Sequence, residues 1–454
     1  MFTIKHKIMA KPVKEKQVKQ LALIRPHCAA IDVGSMLMMV AYSDAEGNQH
    51  LLESGAYTTE LEQLTVTLKQ AGVKEVAMEA TGVYWMVIYE LLEQHDFKVT
   101  LVNARHFKNT EAQKTDVKDC EWLHQLHAHG LLRSSHIAGE AFRELRSYIH
   151  ERNLLQQNKS DTLNRIHKLL TQMNIKVQHL ISDIEGVAGM KLLRAIADGI
   201  KDPEALMLLI KDSKLKADEA SLHQSLNGLY KEQYITILNQ TLKAYDFFMA
   251  QMKAYETLIE QVLQKMLPGQ QEAATPKKGL VRKNQYSINL KEYLQRIVGV
   301  DLTRVDGLNE ISILEIIAVT GLDMNKWPTA EHFASWLKLS PSPKISGGKV
   351  IGYERKPTRN KATQMFRLAA QAMWQNKGAL GYLYRKLAAI KGAKKAIKAV
   401  ARKIALIFYN MIKHQTEFNS DRLQIDTRRQ TAKKISILQK EAAKYGYVLQ
   451  SLNA

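Results

Sequence analysis

The sequence predicts an α/β protein in three parts: a ribonuclease H-like mixed sheet, a long helical coiled-coil-like arm, and a mostly helical C-terminal domain. Three observations predict it. The short apolar runs "CAAIDVG", "SMLMMVAYS" and "QHLLESGAY" follow one another, with the turn "DAEGN" before the last, and read as three strands ending in a hairpin. Helix and strand patterns then alternate to about residue 103, as in a sheet whose later strands are parallel. From about 215 to 266 no proline interrupts a helical pattern longer than an ordinary globular helix, so a hairpin or coiled-coil arm broken near Gly228 is expected.

Each element has its own signals. "TTELEQLTVTLKQAG" opens on a Thr cap candidate followed by Glu and stops at Gly72, a helix marked at both ends. "VKEVAMEA" returns a strand, "GVYWMVIYELLEQHD" a helix and "FKVTLVNA" a strand. A dinucleotide fold fits less well, because the first strand runs into Gly34 without a G-x-G-x-x-G run. Residues 120–183 are polar and helical in period, and 268–289 form a Pro/Gly/Lys-rich linker. The parts expected are a basic extension 1–23, a catalytic sheet domain 24–135, a helical oligomerisation region 136–267, the linker, a second domain 290–415 and a tail 416–454. Gly307 and Gly321 bracket a short helix in a pattern similar to a helix-hairpin-helix element, whose turn amides can meet a phosphate; ordinary helix punctuation gives the same pattern.

The 454 residues carry 65 Lys and Arg against 45 Asp and Glu, a formal net charge of +20. That excess fits a polyanion, with nucleic acid first, better than a small neutral substrate. The two cysteines, Cys28 and Cys120, lie in no metal-binding spacing, which points to a reducing, cytoplasmic setting. The lysine-bearing N-terminal segment lacks the apolar core of a signal peptide, and no apolar stretch reaches bilayer length, so no membrane is expected.

Four carboxylates carry the chemistry. Asp32 and Glu79 end apolar strand-like runs, where parallel strands commonly present ligands, and Asp116 and Asp119 are spaced to share one helix face. Several converging carboxylates can hold the paired divalent ions of phosphoryl chemistry, and hard oxygen donors suit Mg²⁺ or Mn²⁺ rather than zinc. Taken singly, each acid is as well explained as an ordinary strand-end or helix-surface group. Lys114 and Lys118 flank the helical pair as phosphate contacts or solvated side chains. Trp85 and Tyr84 are expected to pack the helix after Glu79, although an aromatic beside the acids could stack on a base. His124, His127 and His129 are expected to line a phosphate-facing or solvent-facing helix.

The other informative region is "FASWLKLSPSPKISGGKVIGYERKPTRNK", read as a loop with a Gly-Gly turn and the cations Lys344, Lys349, Arg355, Lys356, Arg359 and Lys361 around it. Glycines with cations suit a backbone approaching phosphate, and Ser346 there is either a turn residue or a nucleophile. Downstream, Arg385, Lys386, Lys391, Lys394, Lys395, Lys398, Arg402 and Lys403 lie along helices with apolar faces, a phosphate-tracking surface.

Together "AIDVG", "MEATGVYW", "KTDVKDCEWLHQLHAHGLL" and the distal "SPSPKISGGKVIGYERKPTRNK" resemble the DEDD transposases of bacterial insertion sequences that are guided by a bridge RNA. The resemblance implies a Holliday-junction-resolvase-like N-terminal domain whose tetrad is Asp32, Glu79, Asp116 and Asp119 with Mg²⁺. It implies a transposase domain whose Ser346 becomes covalently joined to DNA. It also implies composite sites built from two protomers, assembly through the helical arm as a dimer that pairs into a tetramer, double-stranded donor and target DNA, and a structured noncoding RNA that supplies sequence choice by base pairing. The family usually has a small residue after the last acid; here it is Cys120. Two other readings remain open at this point: a metal-dependent, structure-specific nuclease or junction resolvase that does without Ser346, and a non-enzymatic scaffold for RNA or DNA.

Overall fold

The computed structural model describes residues 22–80, 82–103, 116–213, 215, 217–269, 272–275, 284–353, 360–419 and 421–449, with the side chains of 116 and 421–430 left out. The chain divides into two compact units, Met1–Ile137 and Ala138–Ala454.

The first unit is built on a five-stranded sheet of order β3-β2-β1-β4-β5, made by β1 (Cys28–Val33), β2 (Leu37–Ser43), β3 (Gln49–Gly55), β4 (Glu75–Glu79) and β5 (Lys98–Val102). β1 to β3 form an antiparallel meander, while β4 pairs parallel with both β1 and β5. This is the ribonuclease H-like mixed sheet expected from the strand pattern. The turn from β1 to β2 needs glycine, since a Cβ on Gly34 would lie 2.3 Å from the Leu37 carbonyl oxygen. Alternation along the strands separates the two faces. Ile31, Val33, Val76 and Met78 meet Leu61, Leu64 and Leu68 of α1 (Thr58–Gln70) and Ile88 and Leu92 of α2 (Trp85–Gln94). Ala30, Ala77 and Val102 face the other way, onto Leu123 of α3 (Asp116–Ala128).

Among the described residues the second unit is helical apart from one hairpin. α4 (Glu140–Gln172) leads into three short helices, α5 (Val187–Ala197), α6 (Pro203–Leu209) and α7 (Glu219–Leu226), before the 34-residue α8 (Glu232–Lys265). The break expected near Gly228 falls between α7 and α8. Leu145 and Ile149 near the start of α4 share a core with Ile259, Val262 and Leu263 near the end of α8. Toward the other end of α4, Ile166 and Leu170 join Leu238 and Leu242 of α8 in a second core with α5 to α7. The two long helices are therefore antiparallel partners within one chain.

A buried ion pair crosses that seam. Arg152 donates from Nε and Nη2 to Glu256 Oε1 at 2.9 and 2.8 Å, and its guanidinium lies 4.0 Å from the Tyr286 ring centroid. The Ser287 amide donates to the other Glu256 oxygen at 2.8 Å. The expected linker 268–289 is thus no free tether at its C-terminal end: Tyr286 and Ile288 belong to the large core. A reading by Pro, Gly and Lys content gives too little weight to the apolar residues that such a segment also holds.

The rest of the unit comprises α9 (Leu290–Val298), α10 (Glu310–Thr320), α11 (Ala330–Trp336), the strands β6 (Pro343–Ser346) and β7 (Lys349–Tyr353), α12 (Lys361–Ala372), α13 (Ala379–Lys391), α14 (Ala393–His414) and α15 (Asp421–Lys444). Phe333, Phe366, Phe408 and Tyr409 form its aromatic centre. α10 carries its own N-terminal cap, as ordinary helix punctuation between Gly307 and Gly321 leads one to expect. Asn309 Oδ1 accepts from the Ser312 amide at 2.8 Å and the Asn309 amide donates to Ser312 Oγ at 2.9 Å, a reciprocal capping box.

Candidate active site

Asp32 lies near the end of β1 and Glu79 ends β4, on adjacent parallel strands about 4.8 Å apart. The register pairs Ile31 with Met78, one residue before each acid. Period-two alternation puts Asp32 on the face of Ala30 and Glu79 on the face of Ala77, and both alanines pack toward α3. Glu79 is buried and Asp32 half-buried.

α3 runs antiparallel to β1. Cys120 Sγ donates to the Ala30 and Met39 carbonyl oxygens at 3.4 and 3.2 Å, while one turn later His124 Nε2 meets Cys28 O at 3.2 Å and Ser43 Oγ at 3.2 Å. One helical turn rises about 5.4 Å and two strand residues about 6.6 Å, so helix and strand keep step. Extended one turn back from Cys120, the same register brings the helix start at Asp116 to the level of Asp32. Asp119, half-buried, is on that first turn. Backbone positions of all four acids therefore gather at one end of the sheet, on one face. The small Cys120 has a physical reason: the residue is fully buried between two strands, and a larger one would lift α3 off the sheet.

The far end of α3 is fixed as well. The Ile24 and Arg25 amides donate to Ala128 O at 2.9 Å, and Arg25 Nη1 donates to His127 O at 3.1 Å. Arg25 is itself held by Glu75 at 2.7 Å. A cation on the last carbonyls suits the negative end of a helix.

His124 and His127 differ from expectation: both are buried against the sheet, because the seam that carries Cys120 and Leu123 continues through them. Their i, i+3 and i, i+4 spacing was legible; the side of α3 that β1 would cover was not. Burial pulls His124 below the ordinary imidazole range. Burial, helped by the Arg25 charge, brings His127 down to about 4, and among the described residues neither of its ring nitrogens has a hydrogen-bond partner. Between the ordinary value of about 6.5 and about 4 the unfolded chain binds a proton that the folded chain refuses. Stability is full above that window and falls as pH drops through it. Replacing His127 with leucine is expected to remove a loss on the order of 3 kcal/mol. Denaturant midpoints at pH 7 and pH 4 check this, and an equal drop in both proteins would refute it.

Burial likewise pushes the Cys28 thiol up to about 12 and the Cys120 thiol up to about 11, so neither is a reactive thiolate. Among the described residues the tetrad positions at this end of the sheet bring carboxylates, a donor type that fits a hard divalent cation such as Mg²⁺. Among the described residues no group of three or more His, Cys, Asp and Glu stands ready to hold a metal ion; the Asp116 side chain lies outside them.

The segment read as a loop around Ser346 is instead an antiparallel hairpin. Gly347 and Gly348 have φ of +54° and +76°, as a two-residue turn of the I′ kind requires. Ser346 pairs with Lys349 across the strands, and Lys344 shares its face two residues back. The register slips between Lys344 and Ile345, leaving an extra residue on β7. The serine thus stands exposed between two lysines. "ISGGKVIGY" held the signal, a Gly-Gly pair between β-branched runs. Thr363 Oγ1 donates to Leu337 O at 2.9 Å, tying the start of α12 to the end of α11.

The expected phosphate contacts divide. Arg355, Lys356, Arg359 and Lys114 lie outside the described residues. Lys361 is 3.4 Å from buried Glu315, which also accepts from Asn153 of α4 at 2.7 Å. Arg385 donates to the Trp374 and Asn376 carbonyls at 3.3 and 2.6 Å and braces that turn. Lys394, Lys395 and Lys398 are exposed in the first turns of α14, while Arg402 and Lys403 are half-buried further along. Lysines at a helix N-terminus oppose its dipole, an arrangement that an anion relieves.

Residues 29–175 match a DEDD family model of the IS110 type, described as a transposase, and residues 301–383 match one described as a transposase of the IS116/IS110/IS902 family. The two matches together span about half the chain. No curated protein matches it. No helix among the described residues is long and apolar enough to cross a membrane.

Proposed function

The chain belongs to the IS110 family of DEDD transposases, enzymes of DNA recombination, and from that premise we propose an RNA-guided recombinase with Ser346 as nucleophile and Asp32, Glu79, Asp116 and Asp119 as an Mg²⁺-binding tetrad. The observation that carries this reading is the antiparallel register of α3 on β1, which gathers the four acid positions at one sheet end.

Ser346 Oγ attacks the scissile phosphorus, and a bond from phosphorus to Oγ forms as the bond to the leaving strand oxygen breaks. The serine proton leaves with water or a nearby base, and the leaving oxygen takes one up. The phosphodiester is conserved as a phosphoserine, so a hydroxyl of another strand can displace Oγ and complete strand exchange with no external energy source. Lys344 and Lys349, on the serine's face, offset phosphate charge. When bound, Mg²⁺ lowers the cost of charge on the attacked phosphoryl group and the leaving oxygen. The tetrad of one protomer serves the serine of another, with dimers pairing into a tetramer. A structured bridge RNA pairs with donor and target DNA, and the protein grips its backbone through cations such as Lys394, Lys395 and Lys398.

The test is a reaction of full-length protein, guide RNA, donor and target DNA, run on a denaturing gel. A protein–DNA adduct that chelation with EDTA prevents and added Mg²⁺ restores is the expected result. Strand cleavage to free ends, with no adduct at any time, would favour hydrolysis by a nuclease and overturn the serine route.

A further inference from the structure

The end of the sheet that carries the acids also carries an uncharged ledge. The turn from β1 to β2 leaves Met36 and Leu37 exposed, and the segment entering α2 leaves Val83, Tyr84, Met86 and Val87 exposed. The two segments leave neighbouring strands at their shared end, directly after Asp32 and Glu79. Residues 80–89, "ATGVYWMVIY", hold no charged side chain, in a protein of net charge +20.

The two aromatic residues there have different jobs. Trp85 is half-buried, packs against the first unit's core and meets the Tyr89 ring edge-on at 5.5 Å. Tyr84 is 48% exposed. Its ring lies along Gly82, where a Cβ would come within 3.4 Å of it and where φ is +55°. The turn therefore holds one edge of the ring close to the backbone while about half of the side chain stays exposed.

We propose that Tyr84, flanked by Val83 and Val87, is a stacking site for an unpaired nucleobase next to the phosphate handled by the acids. Phosphate recognition calls for cations, and among the described residues the ledge segments 36–37 and 82–89 hold none; they suit the uncharged, flat part of a nucleotide. In a duplex the base faces are covered by their neighbours, so only a strand opened for exchange offers one. The site would hold the opened strand in place, and its tolerance of any base fits an enzyme whose sequence choice lies in RNA pairing. This inference rests on the reading of the acids as the phosphoryl-transfer site.

The probe is a 20-nucleotide single strand carrying 2-aminopurine at successive positions, bound to full-length protein in Ca²⁺. Quenching of one 2-aminopurine is expected with the native protein and with Tyr84→Phe. Tyr84→Ala should lose it and bind the strand roughly tenfold more weakly. An abasic nucleotide at the quenched position should abolish the difference between native protein and Tyr84→Ala. The same strand with Asp32→Ala separates the two claims: quenching retained with cleavage unchanged would remove the catalytic reading and leave the stacking site standing. Unaltered affinity and quenching in Tyr84→Ala would overturn the proposal. So would a loss of oligomeric mass in that variant with quenching intact, which would make the ledge a contact between copies of the chain. Tyr84 is exposed, so an unchanged melting temperature is expected and excludes misfolding as the cause of any loss.

Discussion

Ser346→Ala is expected to abolish recombination, by at least about a thousandfold, and to leave no covalent protein–DNA product. The hydroxyl is the only part removed, and Ser346 is exposed next to a turn set by Gly347 and Gly348, so the fold should not change. RNA and DNA affinity should stay within about twofold, since exposed substitutions away from packing change little. Single-turnover assays with labelled donor DNA read both the product and the adduct. A persisting adduct would show that another hydroxyl attacks, with Ser340 and Ser342 the next to test. A Ser346→Cys variant adds a control, since a thiol of similar size keeps the turn and offers a different nucleophile.

Asp32→Asn is expected to slow strand cleavage by about 10²–10⁴-fold, the loss of several kcal/mol of charge stabilisation. The amide keeps the shape of the carboxylate and removes its charge, so β1, buried on both sides of Asp32 at Ile31 and Val33, should fold as before. Cleavage rates at increasing Mg²⁺ and Mn²⁺, with circular dichroism as the check on folding, measure it. Native rates at millimolar Mg²⁺ would remove Asp32 from the tetrad. The two variants also differ in kind: the serine change should erase the adduct at any metal concentration, whereas excess metal should recover part of the activity lost with Asp32→Asn.

The sheet was legible because its signals are local. Alternation in "CAAIDVG" and "EVAMEA", the "DAEGN" turn and Gly72 after α1 each specify a few residues of backbone, and the strand order follows from short connections. Asp32 and Glu79 could be placed at strand ends for the same reason. What escaped depends on partners distant in sequence. Whether His127 meets solvent or β-sheet is decided by which side of α3 packs down, and periodicity alone leaves that open. Lys361 and Arg385 read as phosphate contacts because nothing near them in sequence reveals Glu315 or the carbonyls of Trp374 and Asn376. The arm shows the same limit: α4 and α8 each have an apolar stripe, and only the fold shows that the stripes meet one another. The hairpin at Ser346 is a different case, since its Gly-Gly signal is present in the sequence and suggests looseness as readily as a turn.

The seating of α3 has a consequence for mutation. Its height on the sheet is keyed at Cys120 by the Ala30 and Met39 carbonyls, at His124 by Cys28 and Ser43, and at Ala128 by the amides of residues 24 and 25. Sliding by one residue would move Asp116 and Asp119 by about 1.5 Å and break all three sets of contacts together. Substitutions at interior positions such as Cys28, Ser43 and Cys120, which take no part in the chemistry, should therefore inactivate the enzyme while all four acids remain in the sequence.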